Sequence, residues 1–335
     1  MALYSLGDLE KIVTAVFVNS KSSSVNAELV ARALIKAEAD GLASHGLARV
    51  TSYANQSISG KVNGFAEPKM IQGGLCSGYV NAFNGFAYPA IDLGLEWSLK
   101  KIDTAGIVGV GISNSHHSGV MGHHVEKIAM AGFIGIGFTN SPSALGPWGG
   151  DKAIFGTNPI AFSCPRKGFE PIVIDLSMSK AARGKIMVAA EKGDAIPEGW
   201  ALDQSGQPTT DPKAALAGTM LPMGEAKGAA LTLMIEILTA SLTGSNYGFE
   251  ASSFFSPEGP PPSIGQTFII IDAKAFGGSD FDSRIGVLMN EILKQPGVRL
   301  PGQKRFKARK KSYEEGVEVA ESLIVNFQER ISKEI

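Results

Sequence analysis

The sequence predicts an α/β protein, because its two parts differ in character and its length allows about two domains. In the first 60 residues, apolar positions recur with helical spacing between capping residues. From about residue 71, short apolar runs interrupted by glycine begin, and such runs are typical of buried strands. We therefore expect a helical N-terminal region followed by a sheet with packed helices.

Three helices are expected in the N-terminal region. The first runs from about Leu9 to Val18, and the third runs from about Arg49 to Ile58. Between them, the segment NAELVARALIKAEADG has Asn26 as its expected N-cap and Gly41 as its stop. A polar turn, SGKVNG, follows the third helix.

The central region predicts strands and two helices. GIVGVGISNS (106–115) and GFIGIGFTNS (132–141) share one pattern, and each predicts a buried strand that ends in polar groups. PIAFSCP, PIVIDLS and TFIIIDA predict three more strands. Helices are expected from Gly119 to Ala131 and from Lys227 to Leu242, and the second is apolar almost all round, which predicts burial. A closing helix is expected over about Ser312 to Lys333.

Composition narrows the classes of partner. The formal net charge of −1 gives no electrostatic reason to expect nucleic acid or an anionic membrane. The start, MALYSLGDLEKIV, lacks the basic and apolar regions of a signal peptide, and no apolar run is long enough to span a bilayer. Cys76 and Cys164 form neither a CxxC pair nor a disulfide framework. We therefore expect a cytoplasmic protein that binds neither nucleic acid nor membranes.

The glycine-punctuated strands do not contain a Rossmann dinucleotide fingerprint. That motif needs a third glycine where the helix packs on the strand, and the two segments have Asn114 and Asn140 at that position. Glycines that pack inside buried strands are the simpler interpretation. Any dinucleotide would have to be held in another way.

The histidines are confined to two short stretches. SNSHHSGVMGHH and LASHGLARV together contain His116, His117, His123, His124 and His45. Metal ligands on one helix need a spacing of three or four, whereas these pairs are seven apart, so we assign no metal ligand. Two interpretations stay open, namely ordinary structural histidines, or His116 and His117 facing a cleft that handles a proton or an anion.

Arg49 lies four residues after His45, so the two side chains would share a face of a helix beginning there. Such a pair suits a small carboxylate substrate. Arginine holds a carboxylate bidentately, histidine supplies or removes a proton, and the hydroxyl of Ser44 can fix the imidazole tautomer. A solvated helix face is the alternative interpretation.

Several motifs spread over the chain resemble one known family. They are DGLASHGLARV, NSHHSGVMGHHVE, PWGGDKAIFGTNPIAF, VIDLSMSKAARGKI, IPEGWALDQSGQPTTDP, LPMGEAKGAALTLMIEIL and RLPGQKR. Over residues 5–310 the chain resembles the malate/L-lactate dehydrogenase family of the sulfolactate dehydrogenase type. The resemblance implies a non-Rossmann NAD(P)-binding sheet domain over residues 71–299 and an intertwined homodimer. It also implies a helical subdomain formed by the chain ends, over residues 1–70 and about 300–335.

The resemblance implies hydride transfer between NAD(P)H and a small 2-oxo or 2-hydroxy carboxylate, such as malate, lactate or sulfolactate. The alternative is a cyclic ketimine, as in the piperideine and pyrroline-2-carboxylate reductases. By matching positions, His45 resembles the general acid with Ser44 beside it, and Arg49 resembles the carboxylate anchor. His116 and Lys227 match positions near the substrate.

A larger set of positions matches the cofactor site of the family. These are His117, Ser118, Gly119, Val120, Met121, Thr157, Asp175, Leu176, Ser177, Arg183, Gly184, Arg299, Pro301, Gly302, Lys304 and Arg305. The basic stretch RLPGQKRFKARKK matches the segment near the adenosine, where cations favour a 2′-phosphate. The resemblance therefore implies that NADPH is preferred over NADH.

Two positions depart from branches of the family. Lys185 follows Gly184 where some ketimine-reducing members have a carboxylate, and Asn140 stands where some ureidoglycolate-type members have a lysine. Both departures favour the 2-oxo carboxylate interpretation. Two functions from other classes stay open, namely a catalytically silent binding protein and a metallohydrolase.

Overall fold

A seven-stranded mixed sheet and the helices around it form the main part of the chain. The computed structural model describes residues 1–278 and 280–333. The helices are α1 (Leu6–Asn19), α2 (Ser24–Ala39), α3 (Val50–Ile58), α4 (Ala87–Ala105), α5 (Met121–Met130), α6 (Arg183–Lys192), α7 (Pro212–Ala217), α8 (Ala226–Glu236), α9 (Phe281–Leu293), α10 (Gln303–Glu315) and α11 (Glu321–Ser332). The strands are β1 (Ala2–Tyr4), β2 (Lys69–Gly73), β3 (Ser77–Asn81), β4 (Ile107–Ser115), β5 (Ile134–Thr139), β6 (Ile160–Cys164), β7 (Ile172–Leu176), β8 (Ala201–Leu202), β9 (Pro208–Thr209), β10 (Thr219–Met220), β11 (Ile264–Ile271) and β12 (Val317–Val319).

The large sheet has the strand order β2-β3-β4-β11-β5-β6-β7. Strands β3 and β4 pair in parallel, and the other neighbours pair antiparallel. The two similar strands β4 and β5 therefore flank the central β11. This arrangement confirms the predicted α/β class and differs from the parallel Rossmann sheet.

Helices cover both faces of the sheet. Helices α4 and α5 pack on one face, and α8 with the π-helical turn Ile237–Ser241 packs on the other. Gly137 of β5 allows close packing, because a Cβ there would lie 2.9 Å from the ring of Phe268. The glycines of this strand therefore serve packing, as the sequence suggested.

The two ends of the chain share one hydrophobic core. Strand β1 pairs with β12, and helices α1, α2, α3 and α11 bury side chains against one another. Phe17 and Phe327 are completely buried in this cluster. The predicted domain limits, residues 1–70 with 300–335 and residues 71–299, stay a prediction.

Three expectations about local structure were wrong. Helix α2 begins earlier than predicted, because Ser23 is its N-cap and accepts a hydrogen bond from the backbone N–H of Asn26. The single closing helix is interrupted at Gly316, whose φ of 82° and the short strand β12 separate α10 from α11. Helix α8 is not buried all round, since Leu231 and Leu233 are exposed.

The structure also adds elements that the patterns did not indicate. Helix α4 spans 19 residues, and α9 packs on the β6–β7 edge around Met289 and Leu300. None of the helices in the described part of the chain is both long and apolar enough to cross a membrane.

A buried ionic cluster joins α2, α5 and α10. Arg309 donates to both carboxylate oxygens of Asp40, at 2.6 and 2.8 Å, and to both oxygens of Glu126, at 2.6 and 2.9 Å. Lys36 Nζ donates to Glu126 at 3.0 Å, and His123 Nε2 lies 2.8 Å from Asp40. One guanidinium thus connects three helices that are distant in sequence.

Burial and hydrogen bonding act in opposite directions on these groups. Burial alone would raise the pKa of Asp40, but its hydrogen bonds from Arg309 and His123 lower the pKa overall. Burial lowers the pKa of His123 to about 4, although the hydrogen bond to Asp40 opposes the shift. We therefore take Asp40 to be ionised through Arg309, while burial keeps His123 neutral near pH 7.

Replacing Arg309 tests the ionic cluster. Arg309→Met removes the guanidinium that Asp40 and Glu126 share and leaves Glu126 with Lys36 alone, so we expect it to lower the free energy of unfolding by about 3 to 5 kcal/mol. Denaturant unfolding at pH 7 measures the change. Lys311→Met is the matched control, because the Lys311–Glu315 pair is exposed and contributes less than about 1 kcal/mol. Equal effects of the two variants would contradict a structural role for the cluster.

The lowered pKa of His123 makes stability depend on pH. The unfolded chain protonates this imidazole near pH 6.5 and the folded chain only near pH 4, so the stability it contributes is complete above pH 6.5 and is lost on acidification. His123→Gln keeps a donor for Asp40 and removes the titration. When the pH is lowered from 6 to 5, we expect the free energy of unfolding of the wild type to fall by about 1 kcal/mol more than that of this variant. An unchanged slope would show that His123 already titrates normally in the folded protein.

Candidate active site

Ser44 and His45 lie in a tight turn after α2. Residues Ala43–His45 and Leu47–Arg49 form two short 3-10 turns separated by Gly46. A side chain at Gly46 would collide with Glu38, which accepts a hydrogen bond from the backbone N–H of Leu47 at 2.9 Å. The expectation that His45 and Arg49 share the face of one helix was therefore wrong.

The turn nevertheless brings these side chains together. Arg49 Nε donates to the carbonyl of Ser44 at 2.8 Å, and the Ser44 hydroxyl lies 3.0 Å from His45 Nδ1. Burial lowers the pKa of His45 to about 4, and the charge of Arg49 acts in the same direction. At pH 7 this imidazole is therefore neutral and can accept a proton.

Arg49 keeps a donor for a ligand. Its guanidinium carbon lies 4.5 Å from the centre of the Phe255 ring, so one face of the group is covered. Its Nη1 is buried and has no hydrogen-bond partner among the described residues. Because a buried donor without a partner is costly, this atom indicates a site for an anion.

His117 lies between His45 and the aromatic side chains behind it. Its ring centre is 5.5 Å from that of His45 and 4.8 Å from that of Phe254. The Tyr53 hydroxyl makes a short hydrogen bond to His117 Nδ1. Burial, followed by the charge of Arg49, lowers the pKa of His117 well below its usual value.

His116 is more deeply placed than the sequence suggested. Its Nε2 lies 3.0 Å from the side-chain oxygen of Gln56, and its ring packs against Tyr53 and Phe254. Burial lowers its pKa to about 3. This neutral, enclosed imidazole therefore forms part of the wall of the site.

The other two histidines of the same stretch have different partners. His123 belongs to the ionic cluster, and His124 Nε2 lies 2.9 Å from the carbonyl of Ser118. Across residues 1–278 and 280–333, no three histidine, cysteine or acidic side chains are close enough to hold a metal ion. The histidines that are neighbours in sequence therefore have separate hydrogen-bond partners in the structure.

A second polar group lies where α5 begins. Asp175, near the end of β7, accepts a hydrogen bond from the backbone N–H of Gly122 at 2.8 Å. A Cβ on Gly122 would come within 2.5 Å of Arg305 Nη1, an atom that is buried and without a partner in the described chain. Burial raises the pKa of Asp175, and the charge of Arg305 opposes that shift. This pair combines an acceptor for hydroxyl groups with a donor for an anion.

The loop before α5 is shaped for a close approach of the backbone. Gly119 has a φ of 65°, and a side chain there would collide with the hydroxyl of Tyr88. The hydroxyl of Ser118 donates to the sulfur of Met121, and Val120 stands at the N-cap of α5. These residues thus form the turn between His117 and the Asp175 group.

The loop after β7 approaches the Ser44 turn. The backbone N–H of Met178 donates to the carbonyl of Thr157 at 2.8 Å. A Cβ on Gly184, at the beginning of α6, would lie 3.9 Å from Cβ of Ser44. Arg183 donates to the carbonyl of Ser143 at 3.2 Å. The first turn of α6 therefore lies beside the candidate proton-transfer residues.

The remaining candidates lie farther out. Lys227 is exposed near the start of α8, and Arg299, Pro301 and Lys304 are among the exposed residues of the adenosine-side stretch. Gly302, with a φ of 88°, caps α10 and packs near the carbonyl of Val173. Leu176 is exposed, and the Ser177 hydroxyl pairs with that of Ser179. No hydrogen bond joins any of these to His45 within the described chain.

Several residues of the site were not predicted from the sequence. Tyr53 and Gln56 follow Arg49 at helical spacing on α3, and this polar stripe could have indicated them. Phe254 and Phe255 come from an irregular loop that is about 200 residues away from Arg49 in the sequence, which no local pattern reveals.

Comparison with known proteins identifies the family of the chain. The family described as malate/L-lactate dehydrogenase matches residues 4–328. The (2R)-3-sulfolactate dehydrogenase (NADP(+)) of Chromohalobacter salexigens is 48% identical over 323 residues, which cover 96% of each chain. The Delta(1)-pyrroline-2-carboxylate/Delta(1)-piperideine-2-carboxylate reductase of Pseudomonas putida is 37% identical and covers 96% of this chain and 95% of its own.

A solved structure shows the same fold. The delta1-piperideine-2-carboxylate reductase of Pseudomonas syringae superposes with a TM-score of 0.94 at 35% identity, covering 98% of this chain and 100% of its own. These matches extend over nearly the whole chain and confirm the resemblance inferred from the motifs. The chain belongs to the malate/L-lactate dehydrogenase family.

Proposed function

We propose that this protein is an oxidoreductase that transfers a hydride between NADPH and a small 2-oxo or 2-hydroxy carboxylate. The observation that carries the proposal is the arrangement of Ser44, His45 and Arg49. It combines a neutral imidazole held by a hydroxyl with a guanidinium that has an unpaired, buried donor. These are the groups that a 2-hydroxy acid needs for loss of its proton and for binding of its carboxylate.

The chain has groups that fit a dinucleotide. The buried carboxylate of Asp175 suits ribose hydroxyls, and the unpaired Nη1 of Arg305 suits a phosphate. When bound, NADPH would supply the hydride in the reductive direction, and NADP⁺ would accept it in the oxidative direction. The exposed cations Arg299 and Lys304 near α10 favour the additional 2′-phosphate. The NADP(+) in the name of the Chromohalobacter relative supports the same preference.

Arg49 and His45 have different roles at the substrate. Arg49 holds the carboxylate in the plane of its guanidinium, and His45 exchanges a proton with the oxygen on the neighbouring carbon. Ser44 engages Nδ1 of His45 and leaves Nε2 for this exchange. In the oxidative direction the neutral imidazole acts as the base. In the reductive direction, a bound carboxylate offsets the charge of Arg49, which raises the pKa of His45 and favours protonation.

The substrate class is inferred from the relatives and from one position of the sequence. The sulfolactate dehydrogenase of Chromohalobacter salexigens is more similar to this chain than the reductase of Pseudomonas putida is, which supports a 2-hydroxy acid such as malate, lactate or sulfolactate. Lys185 follows Gly184 directly, at a position where some ketimine-reducing members of the family have a carboxylate, and its ammonium lies over the ring of Trp200. Because this position lacks that carboxylate, we favour a 2-oxo acid over a cyclic imine, which stays the second candidate because of the reductases in the family.

We also propose that the protein is a homodimer in the cytoplasm. The exposed face of α8 and the turn after it carries Leu231, Leu233, Met234 and Ile237, an unusual density of apolar side chains for a surface. Burial of this face against a second copy would remove it from water. The formal net charge of −1 gives no electrostatic reason for a nucleic-acid partner, which supports small molecules as the other partners.

A panel of substrates tests the proposed function. Malate, lactate and sulfolactate with NADP⁺ and NAD⁺, and the corresponding 2-oxo acids and Δ1-piperideine-2-carboxylate with NADPH and NADH, distinguish the candidates. We expect the highest kcat/KM for a 2-oxo acid with NADPH. Nucleotide binding without turnover of any member would favour the binding-protein alternative.

Replacing His45 tests the proton-transfer step. We expect His45→Ala to lower kcat by about 10² to 10⁴ while leaving NADPH affinity nearly unchanged, because the imidazole acts on the substrate alone. Steady-state kinetics and nicotinamide fluorescence measure the two quantities. Replacing Lys100, an exposed residue of α4, by Met is the control and should change neither. Wild-type turnover in His45→Ala would remove His45 from the mechanism.

Replacing Ile237 tests the dimer. Ile237 and Val325 are each 50% exposed in the single chain, but only Ile237 lies on the apolar face of α8. We expect Ile237→Asp to shift the mass in sedimentation from twice the 35.2 kDa of one chain to a single chain. Val325→Asp, on α11, should leave the dimer intact. A dimer in both variants would place the interface elsewhere.

A further inference from the structure

An irregular loop next to the site is held by a buried lysine. We call residues 253–258 the diphenylalanine loop, after Phe254 and Phe255. Lys61 is 3% exposed, and its Nζ donates to the carbonyls of Ser253, Ser256 and Glu258 at 2.7, 2.9 and 2.8 Å. All three ammonium hydrogens are therefore used on one short segment.

Two neighbours of Lys61 complete the attachment. Gln56 donates to the carbonyl of Phe254 at 2.7 Å, and Ser59 donates to that of Pro257 at 3.0 Å. Five carbonyls of the diphenylalanine loop thus accept hydrogen bonds from α3 and the turn that follows it. Lysine is rarely buried unless it is paired, and here it fixes a backbone that has no regular secondary structure.

The other side of the loop faces the candidate active site. The Phe254 ring lies 4.8 Å from His117 and 5.3 Å from His116, and the Phe255 ring lies 4.5 Å from the guanidinium carbon of Arg49. With Nε of Arg49 occupied by the carbonyl of Ser44, Phe255 covers one face of the group. A carboxylate is then accepted best at the edge of the guanidinium, in its plane.

We propose that Lys61 is a positioning residue for substrate binding and that Phe255, through its contact with the Arg49 guanidinium, positions that group for the substrate carboxylate. This inference rests on the proposed function, since it assigns Arg49 to the substrate carboxylate. Lys61 acts at a distance, because it holds the loop that carries Phe255. A preset guanidinium loses less conformational entropy when it binds its ligand, so the effect belongs to substrate affinity.

Two variants test the arrangement in the full-length protein. Lys61→Met keeps most of the side-chain volume and removes the donors, and Phe255→Leu removes the ring from a residue that is 45% exposed. For each we expect KM of the preferred 2-oxo acid to rise about 5- to 30-fold, with kcat within about threefold of wild type. The Kd of NADPH, measured by fluorescence, should be unchanged. Phe255→Tyr keeps the ring, so its KM should stay within about twofold of the wild-type value.

Lys100→Met is the matched control for loss of a cation and should leave KM unchanged. A lowered melting temperature of Lys61→Met with an unchanged KM would overturn the positioning role and leave Lys61 purely structural. If Lys61→Met does not fold, the Phe255 variants decide, and an unchanged KM in Phe255→Leu overturns the proposal. A wild-type protein that turns over no 2-oxo acid would instead show that the proposed function is wrong.

Discussion

The candidate site depends on the ion pairs of Arg309 with two buried carboxylates. Helix α2 leads into the turn of Ser44 and His45, α5 begins at the loop of Gly119, and α10 carries Arg305. Arg309 connects these three helices through Asp40 and Glu126. Since a buried charge must be paired, the chain ends and the sheet are held in one relative position. The substrate side and the nucleotide side of the site therefore share a single support.

Burial also sets the protonation of the histidines. The pKa of each is lowered chiefly by burial, and the cation of Arg49 adds to the effect at His45 and His117. An anion bound beside such an imidazole raises its pKa, because it offsets the charge of Arg49. Binding of a carboxylate and readiness for proton transfer would thus be linked by electrostatics, without a conformational change.

Helix α3 joins Arg49, the proposed substrate-binding residue, to side chains that line the site. Arg49 stands at its beginning, Tyr53 contacts His117, Gln56 contacts His116, and Lys61 follows its end. The two relatives are named for a 2-hydroxy acid and for cyclic imino acids, which share a carboxylate next to an atom that exchanges a proton. A fixed guanidinium with an adjacent imidazole suits both chemistries, so the choice between them must lie in the surrounding walls.

The sequence by itself determined the strands β4, β5, β6, β7 and β11, the short distance between Ser44, His45 and Arg49, and the family, because these features are encoded locally or as motifs. Tertiary structure decided the rest. The break of the closing helix at Gly316 follows from the pairing of β12 with β1, and the exposed face of α8 follows from how it packs on the sheet. The contacts of Arg305 with the Asp175 group and of Phe255 with Arg49 join residues more than 100 positions apart. Such contacts depend on how the elements pack together, and local periodicity carries no information about that packing.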